Sequence, residues 1–180
     1  MNYYQRYALY FAPHAESDLG TFGNGWLGRE PAQDIDLPRP EISNLNANDI
    51  IAATTSPTRY GFHGTLKPPF ALKNGQGLSG LEAAVERLCA DAAPITCGPL
   101  ILKSIGQFLA LVPTEPVTPL ENLAGMLVRG LDAFREPEDA AGMNKRRSAG
   151  LTERQEDYLI AWGYPYVMEE FRFHLTLSNK

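Results

Sequence analysis

Hydrophobic residues recur in short blocks along this chain, and their spacing predicts a mixture of strands and helices. Residues 3–12 are rich in aromatic and aliphatic side chains and read as an opening strand, ended by Pro13. Four glycines between residues 17 and 29 leave room for a short, weak helix, and residues 31–48 form a connection rich in proline and asparagine. Asn48 is placed to cap a short helix through Ala53, which Pro57 stops ahead of a strand-like segment at residues 59–70. Ser79 followed by Glu82 makes a capping box in front of Leu81, Val85 and Leu88, an amphipathic helical pattern. Residues 95–112 read as two strands joined near Gly106 and Gln107. Thr118, Pro119 and Glu121 mark the start of a second helix that runs to about Phe134.

Beyond that helix, residues 135–150 shift to charge, glycine and alanine and read as a mobile surface loop. Thr152 with Gln155 caps a shorter helix to about Ala161. Trp162-Gly-Tyr-Pro-Tyr then turns the chain into a last strand at residues 170–177. Strands and helices mix without the strict alternation of a parallel sheet, so the expected class is α+β.

Length and composition narrow the picture further. A chain of 180 residues with 44% hydrophobic content buries one substantial core, and a single domain over residues 1–180 is expected. The net charge of −5 excludes a general nucleic-acid coat but leaves room for a small anionic substrate held by a local cationic cluster. Cys89 and Cys97 lack the spacing of a redox or zinc pair and read as reduced thiols. Three scattered histidines add no recognised ligand spacing, so neither metal nor cofactor is expected. No leader-like segment or membrane-length stretch stands out, which predicts a soluble, cytoplasmic protein.

The candidate chemistry lies in a motif that occurs twice: His63-Gly-Thr65 and His174-Leu-Thr176. Strand side chains alternate faces, so each His-x-Thr presents an imidazole and a hydroxyl together. In the last strand Phe171, Phe173, Leu175 and Leu177 share one face, with Arg172, His174 and Thr176 on the other. In the earlier strand Tyr60, Phe62 and Leu66 share the apolar side, with His63, Thr65 and Lys67 opposite. Two imidazoles supply an acid and a base near neutral pH, and His63 and His174 are the candidate pair for attack on a phosphate ester. Thr65 and Thr176 are expected to donate to phosphoryl oxygens, and Lys67 and Arg172 to stabilise the charge that develops there.

Paired His-x-Thr strands flanked by apolar residues resemble the two-histidine (2H) phosphoesterase superfamily. The segments Arg6-Tyr-Ala-Leu-Tyr-Phe-Ala-Pro13, Arg59-Tyr-Gly-Phe-His-Gly-Thr-Leu-Lys67, Trp162-Gly-Tyr-Pro-Tyr166 and Phe171-Arg-Phe-His-Leu-Thr-Leu177 are similar to its branch associated with phosphonate utilisation operons. The resemblance implies two pseudo-symmetric lobes of antiparallel sheet with outer helices around a central cleft. It also implies metal-independent hydrolysis of a 2′,3′-cyclic or ribose 1,2-cyclic phosphate, or a related small phosphodiester, in phosphonate metabolism. Members of that superfamily continue past the second motif, so the second lobe is expected to be incomplete in this chain.

The remaining candidates carry weaker signals. Arg146, within Lys145-Arg-Arg147, is a candidate phosphate grip set against an ordinary solvated loop. Tyr60 and Tyr166, with Tyr7 and Tyr164, are candidates for stacking on a base or ribose, set against core packing. His14 reads as a surface-loop residue. Two other functional classes stay open from sequence: a binding module that holds nucleotides or RNA ends without catalysis, and a structural subunit that docks another enzyme.

Overall fold

The computed structural model describes residues 5–180. Tyr3 and Tyr4, at the start of the expected opening strand, lie outside the described residues. Strand β1 (Arg6–Phe11) is followed by helix α1 (Asp18–Leu27), the short strands β2 (Arg29–Glu30) and β3 (Ile35–Asp36), helix α2 (Ala47–Thr58) and strand β4 (Gly64–Ala71). Then come α3 (Leu78–Cys89), β5 (Leu100–Ile105), β6 (Phe108–Pro113), α4 (Thr118–Gly130), α5 (Ala140–Arg147), α6 (Glu153–Trp162) and β7 (Leu175–Thr176). Single 3-10 turns occupy Asp132–Phe134 and Met168–Glu170. The fold is α+β, with antiparallel pairing of β2 with β3, β4 with β7, β5 with β6, and β6 with β7. No helix is long and apolar enough to cross a membrane among the described residues.

The chain divides into two compact units. The first takes the described residues up to Leu9, then Leu66–Thr96 and Val117–Arg172. Its core is built by α3 and α4: Leu81, Ala84, Leu127 and Leu131 are buried with Phe70 of β4, and Tyr7, Leu66, Val85 and Leu88 pack around them. Burying each of the larger side chains stabilises the unit by about 1.5–3 kcal/mol. Apolar positions three and four apart in α3 and α4 make this possible, since they line one helix face. The expected capping box of α3 does not form. The helix begins at Leu78 with Gly77 as its cap, and no side chain bonds the cap position. Thr118 likewise lies inside α4 rather than capping it; Val117 holds the cap position, with Pro119 in the first turn. Residues 135–150 are not simply a loop, because Asp139 accepts from the Gly142 amide at 2.7 Å and starts α5. At α6 the expected capping box is complete: Thr152 Oγ1 accepts from the Gln155 amide, and the Gln155 side chain accepts from the Thr152 amide.

The second unit takes Tyr10–Thr65, Cys97–Pro116 and Phe173–Lys180. The strand order is β1-β4-β7-β6-β5, and of β1 and β4 this unit includes Tyr10 and Phe11, and Gly64 and Thr65. Leu27, Phe62, Leu175 and Leu177 form its buried core, joined by Trp26, Leu111 and Phe173. Ser17 caps α1 through the Gly20 amide at 3.1 Å, and Gly28 ends the helix with φ +70°. Helix α2 is longer than expected: Asn46, not Asn48, is its cap, and Pro57 lies inside its last turn. The end of the chain is tied down by Trp26 Nε1, which donates to the Leu177 carbonyl at 2.7 Å, and by the Asn179 amide, which donates to Ala53 O at 2.6 Å.

Candidate functional site

The two His-x-Thr segments meet in the second unit. Gly64 of β4 is the register partner of Leu175 of β7, in antiparallel pairing. Counting one residue outward on each side sets Thr65 across from His174 and His63 across from Thr176. Neighbouring residues of a strand face opposite ways, so these four share the side opposite Gly64 and Leu175. Leu175 is fully buried and Gly64 is buried, so that second side is core. The polar four are each half-buried, and alternation carried one residue either side of the Gly64–Leu175 pair puts the two imidazoles and two hydroxyls on one face. Across such a ladder, facing Cβ atoms stand about 4.5–5.5 Å apart and diagonal ones roughly 7–8 Å. The histidines occupy one diagonal.

His63 is held from two sides. Its Nδ1 lies 2.8 Å from the Gly61 carbonyl oxygen. A carbonyl only accepts, so Nδ1 carries the proton and Nε2 keeps the lone pair of the neutral ring. The Tyr10 ring stacks on the imidazole at 3.8 Å between centroids, 29° from parallel. Burial pushes the His63 pKa below 6.5; the Gly61 bond works the other way, and the nearby His174 lowers it further. His63 is therefore mostly neutral at pH 7, with Nε2 available to accept a proton or a hydrogen bond. Just before β7, His174 packs against the Phe108 ring of β6 at 5.6 Å, tilted by 50°.

Gly61 and Tyr10 are supporting residues that the sequence reading passed over. Gly61 has φ +76°, and an added Cβ would fall 2.7 Å from Cβ of Pro31, so both backbone and space favour glycine there. The only signal was its place two residues before His63. That turn also explains a correction. Tyr60 was expected on the apolar face of the strand, yet it is 61% exposed, because the Gly61 turn interrupts the alternation and β4 starts only at Gly64.

Lys67, Arg172, Arg146 and Tyr166 group with the first unit rather than with the histidines. Lys67 is 2% exposed, donates to the Val128 carbonyl at 3.2 Å and lies 4.8 Å from the Phe70 ring centroid. Arg172 is exposed and donates to the carbonyls of Glu169 and Phe171 at 2.8 and 2.6 Å. Those bonds curl the segment before β7, which is why only Leu175–Thr176 of the expected strand at residues 170–177 is paired. Arg146, on α5, donates to Glu138 at 3.3 Å and lies 4.9 Å over the Tyr164 ring. Tyr166 is 42% exposed and meets Tyr164 edge-on at 5.7 Å. His14 sits in an exposed turn that leads into α1. Among the described residues, no three His, Cys, Asp or Glu side chains cluster as metal ligands would.

Residues 65–180 match a family described as protein of unknown function (DUF1045), from Thr65 of the first motif through the whole of the second His-x-Thr. This chain belongs to the DUF1045 family. It is 37% identical over 174 residues to the ribose 1,5-bisphosphate phosphokinase PhnN of Janthinobacterium sp. (strain Marseille), covering 97% of this chain and 38% of that protein. With the protein of the same name from Laribacter hongkongensis (strain HLHK9) it shares 32% identity over 177 residues, 97% of this chain and 40% of the relative. The DUF1045 chain thus spans about two fifths of the length of the curated relatives it matches. No solved structure matches it.

These relatives correct the functional expectation drawn from sequence. They are named as phosphokinases, enzymes that move a phosphoryl group between molecules, and not as hydrolases of a cyclic phosphate or diester. The physical reason for the error is that two imidazoles and two hydroxyls suit more than one reaction of a phosphate, and the name of the reaction depends on what receives the phosphoryl group.

Proposed function

We propose that the face formed by His63, Thr65, His174 and Thr176 binds the phosphate of a phosphorylated ribose, and that this DUF1045 chain serves the sugar-phosphate side of a phosphoryl-transfer enzyme. The observation that carries the reading is the Gly64–Leu175 register, which assembles the two motifs on one face. The relatives' names supply the substrate class, a ribose phosphate, and agree with the phosphonate context that the sequence resemblance implies. The resemblance to the two-histidine superfamily is kept for the arrangement of the site, not for hydrolysis.

Phosphoryl transfer to a sugar phosphate asks for positioning and charge stabilisation more than for deprotonation, because the accepting oxygen is already anionic near neutral pH. The two threonine hydroxyls and the His174 ring give donors to phosphoryl oxygens. His63, neutral with a free lone pair on Nε2, accepts from a sugar hydroxyl and fixes the ring. The chain contains no Gly-x4-Gly-Lys-[Ser/Thr] phosphate loop, so the nucleotide side of such a reaction is not assigned to it.

The test uses the imidazole nitrogens as reporters. Ribose 5-phosphate titrated into the protein should move the nitrogen resonances of both His63 and His174 and saturate in the millimolar range or below, while ribose without phosphate moves neither. Thr65→Ala and Thr176→Ala should each weaken the response by about tenfold, the worth of one charge-assisted hydrogen bond. If neither imidazole responds at about 10 mM sugar phosphate, near the weak limit of specific recognition, the reading is wrong.

A further inference from the structure

The first unit holds a cavity of its own, lined by the cations Arg6, Lys67 and Arg135 and by Glu136, Glu138 and Tyr164 among others. Three cations from different stretches of chain converge on it: Arg6 from β1, Lys67 from β4 and Arg135 from just past α4. Their existing partners differ. The Arg6 guanidinium donates to the Pro69 carbonyl at 2.6 Å and lies 4.0 Å from Glu138. Arg135 is paired with Asp132 at 2.7 Å and donates to the Ala161 carbonyl at 3.1 Å. Glu138 is also taken by Arg146, at 3.3 Å.

Lys67 is the exception. It is 2% exposed, yet among the described residues no carboxylate lies within 4 Å of it, and its one hydrogen bond is to the Val128 carbonyl. An ammonium has three N–H donors, and burying a charge without a counter-ion is costly unless something compensates it. Elsewhere in this unit, Nε of Arg146 is buried with no hydrogen-bond partner, while the same side chain pairs with Glu138 and lies over Tyr164, both on the cavity wall. Gly163, also on the cavity wall, has φ +72°, and a Cβ there would fall 2.9 Å from Nη1 of Arg135, so the wall leaves space for that guanidinium.

We propose that this cavity binds the phosphate group of a small ligand, with the Lys67 ammonium as its buried counter-charge and Arg6 and Arg135 at its sides. Size agrees with the chemistry. The centre of a water-sized sphere can range over about 20 Å³ inside the cavity. As a sphere with water's own radius added, that is a space about 3 Å in radius, close to the reach of a tetrahedral oxyanion. Planar carboxylates would use fewer of the donors that converge here. The site stands on residues of the first unit and does not depend on the histidine face.

Nitrogen and carbon NMR of the lysine side chains tests it on the intact protein in chloride buffer. The Lys67 signal, assigned by its loss in Lys67→Met, reports the charge state of the group in the field of Asp132, Arg135, Arg6, Glu136 and Glu138. Inorganic phosphate should shift that signal saturably and raise its titration midpoint, because a bound anion favours the ammonium. The response should survive in His63→Ala and His174→Ala, and should weaken about tenfold in Arg6→Gln, which removes one of the cations on the cavity wall and leaves Lys67 in place. If ribose 5-phosphate binds more tightly than inorganic phosphate, the natural occupant is the phosphate end of a sugar ester; if the two bind alike, it is free phosphate. An unchanged Lys67 midpoint at about 10 mM phosphate overturns the proposal. So does a response that disappears with the histidines, because the anion would then sit on the other site.

Discussion

Gly23 and Gly25 lie two residues apart in α1, yet alanine is expected to act with opposite sign at the two positions. Replacing glycine by alanine inside a helix gains about 0.8–1.0 kcal/mol from propensity alone. At Gly25 nothing lies within 4 Å of an added Cβ, so that gain is realised. At Gly23 the added Cβ would overlap ring carbons of Phe62, which is 1% exposed and has nowhere to retreat. Overpacking of this kind costs about 1–3 kcal/mol, and direct overlap with a fully buried ring belongs in the upper part of that range. The net expectation is a loss of about 1–2 kcal/mol for Gly23→Ala and a gain approaching 1 kcal/mol for Gly25→Ala. For a chain of this size each kcal/mol moves the melting temperature by about 2–4 °C. Urea denaturation followed by tryptophan fluorescence reads both variants, since Trp26 is in the same helix. Phe62→Leu in the Gly23→Ala background should recover part of the loss, because it empties the space the methyl needs. Phe62 is also the residue before His63, so the overpacked variant should bind sugar phosphate less well at the histidine face. Equal effects at the two glycines, or a stabilised Gly23→Ala, would refute the packing argument.

Lys67, with its pKa pushed down to about 8 by burial, holds fewer protons when folded than the usual 10.5 would give, so stability should rise with pH between those values by up to about 1.4 kcal/mol per pH unit. Comparing urea midpoints of the protein and Lys67→Met at pH 7.5 and 9.5 in chloride buffer isolates that slope, which the variant should lack. His63 is also depressed, below 6.5, so its contribution to stability is complete above about pH 6.5 and is lost as the pH falls through its lowered value. His63→Gln should remove that acid-side decline, as read from denaturation midpoints at pH 5 and 7. Thr152→Ala should cost about 1 kcal/mol through loss of the α6 cap, visible as faster amide exchange in the first turn of that helix.

What could be read from sequence was what local chemistry decides. The cap at Thr152, the turn at Gly106 between β5 and β6, and the apolar faces of α3 and α4 each depend on residues within one or two turns of one another. The His-x-Thr face was legible because its pattern occurs twice with the same strand alternation. Helix α5 was missed because its residues are polar and mostly exposed, so no apolar stripe announced it, and only the Asp139 cap bond starts it. At Ser79 a valid local signal lost to the chain's own start of α3 at Leu78. Lys67 was the largest surprise of side-chain environment. Alternation grouped it with His63 and Thr65, whereas its burial depends on Val128 and Phe70, and Val128 is 61 residues away in sequence.

The same limit governs the chemistry. Hydrolysis and phosphoryl transfer both need donors around the phosphoryl oxygens and an in-line path, so two imidazoles and two hydroxyls on adjacent strands satisfy either. The acceptor separates them: water in one case, a second substrate oxygen in the other. A site that transfers must therefore hold the acceptor and keep water from competing, which takes residues remote from the motif. His63 bears on this through its surroundings. With Tyr10 stacked on its ring and the Gly61 carbonyl fixing its tautomer, it is desolvated and mostly neutral, a state suited to orienting a bound hydroxyl. Tyr10→Ala exposes that ring and should raise the His63 midpoint toward 6.5, as followed by imidazole proton NMR, while weakening the response to ribose 5-phosphate. A midpoint unchanged by loss of the tyrosine would mean that stacking does not create the desolvation on which this account of His63 depends.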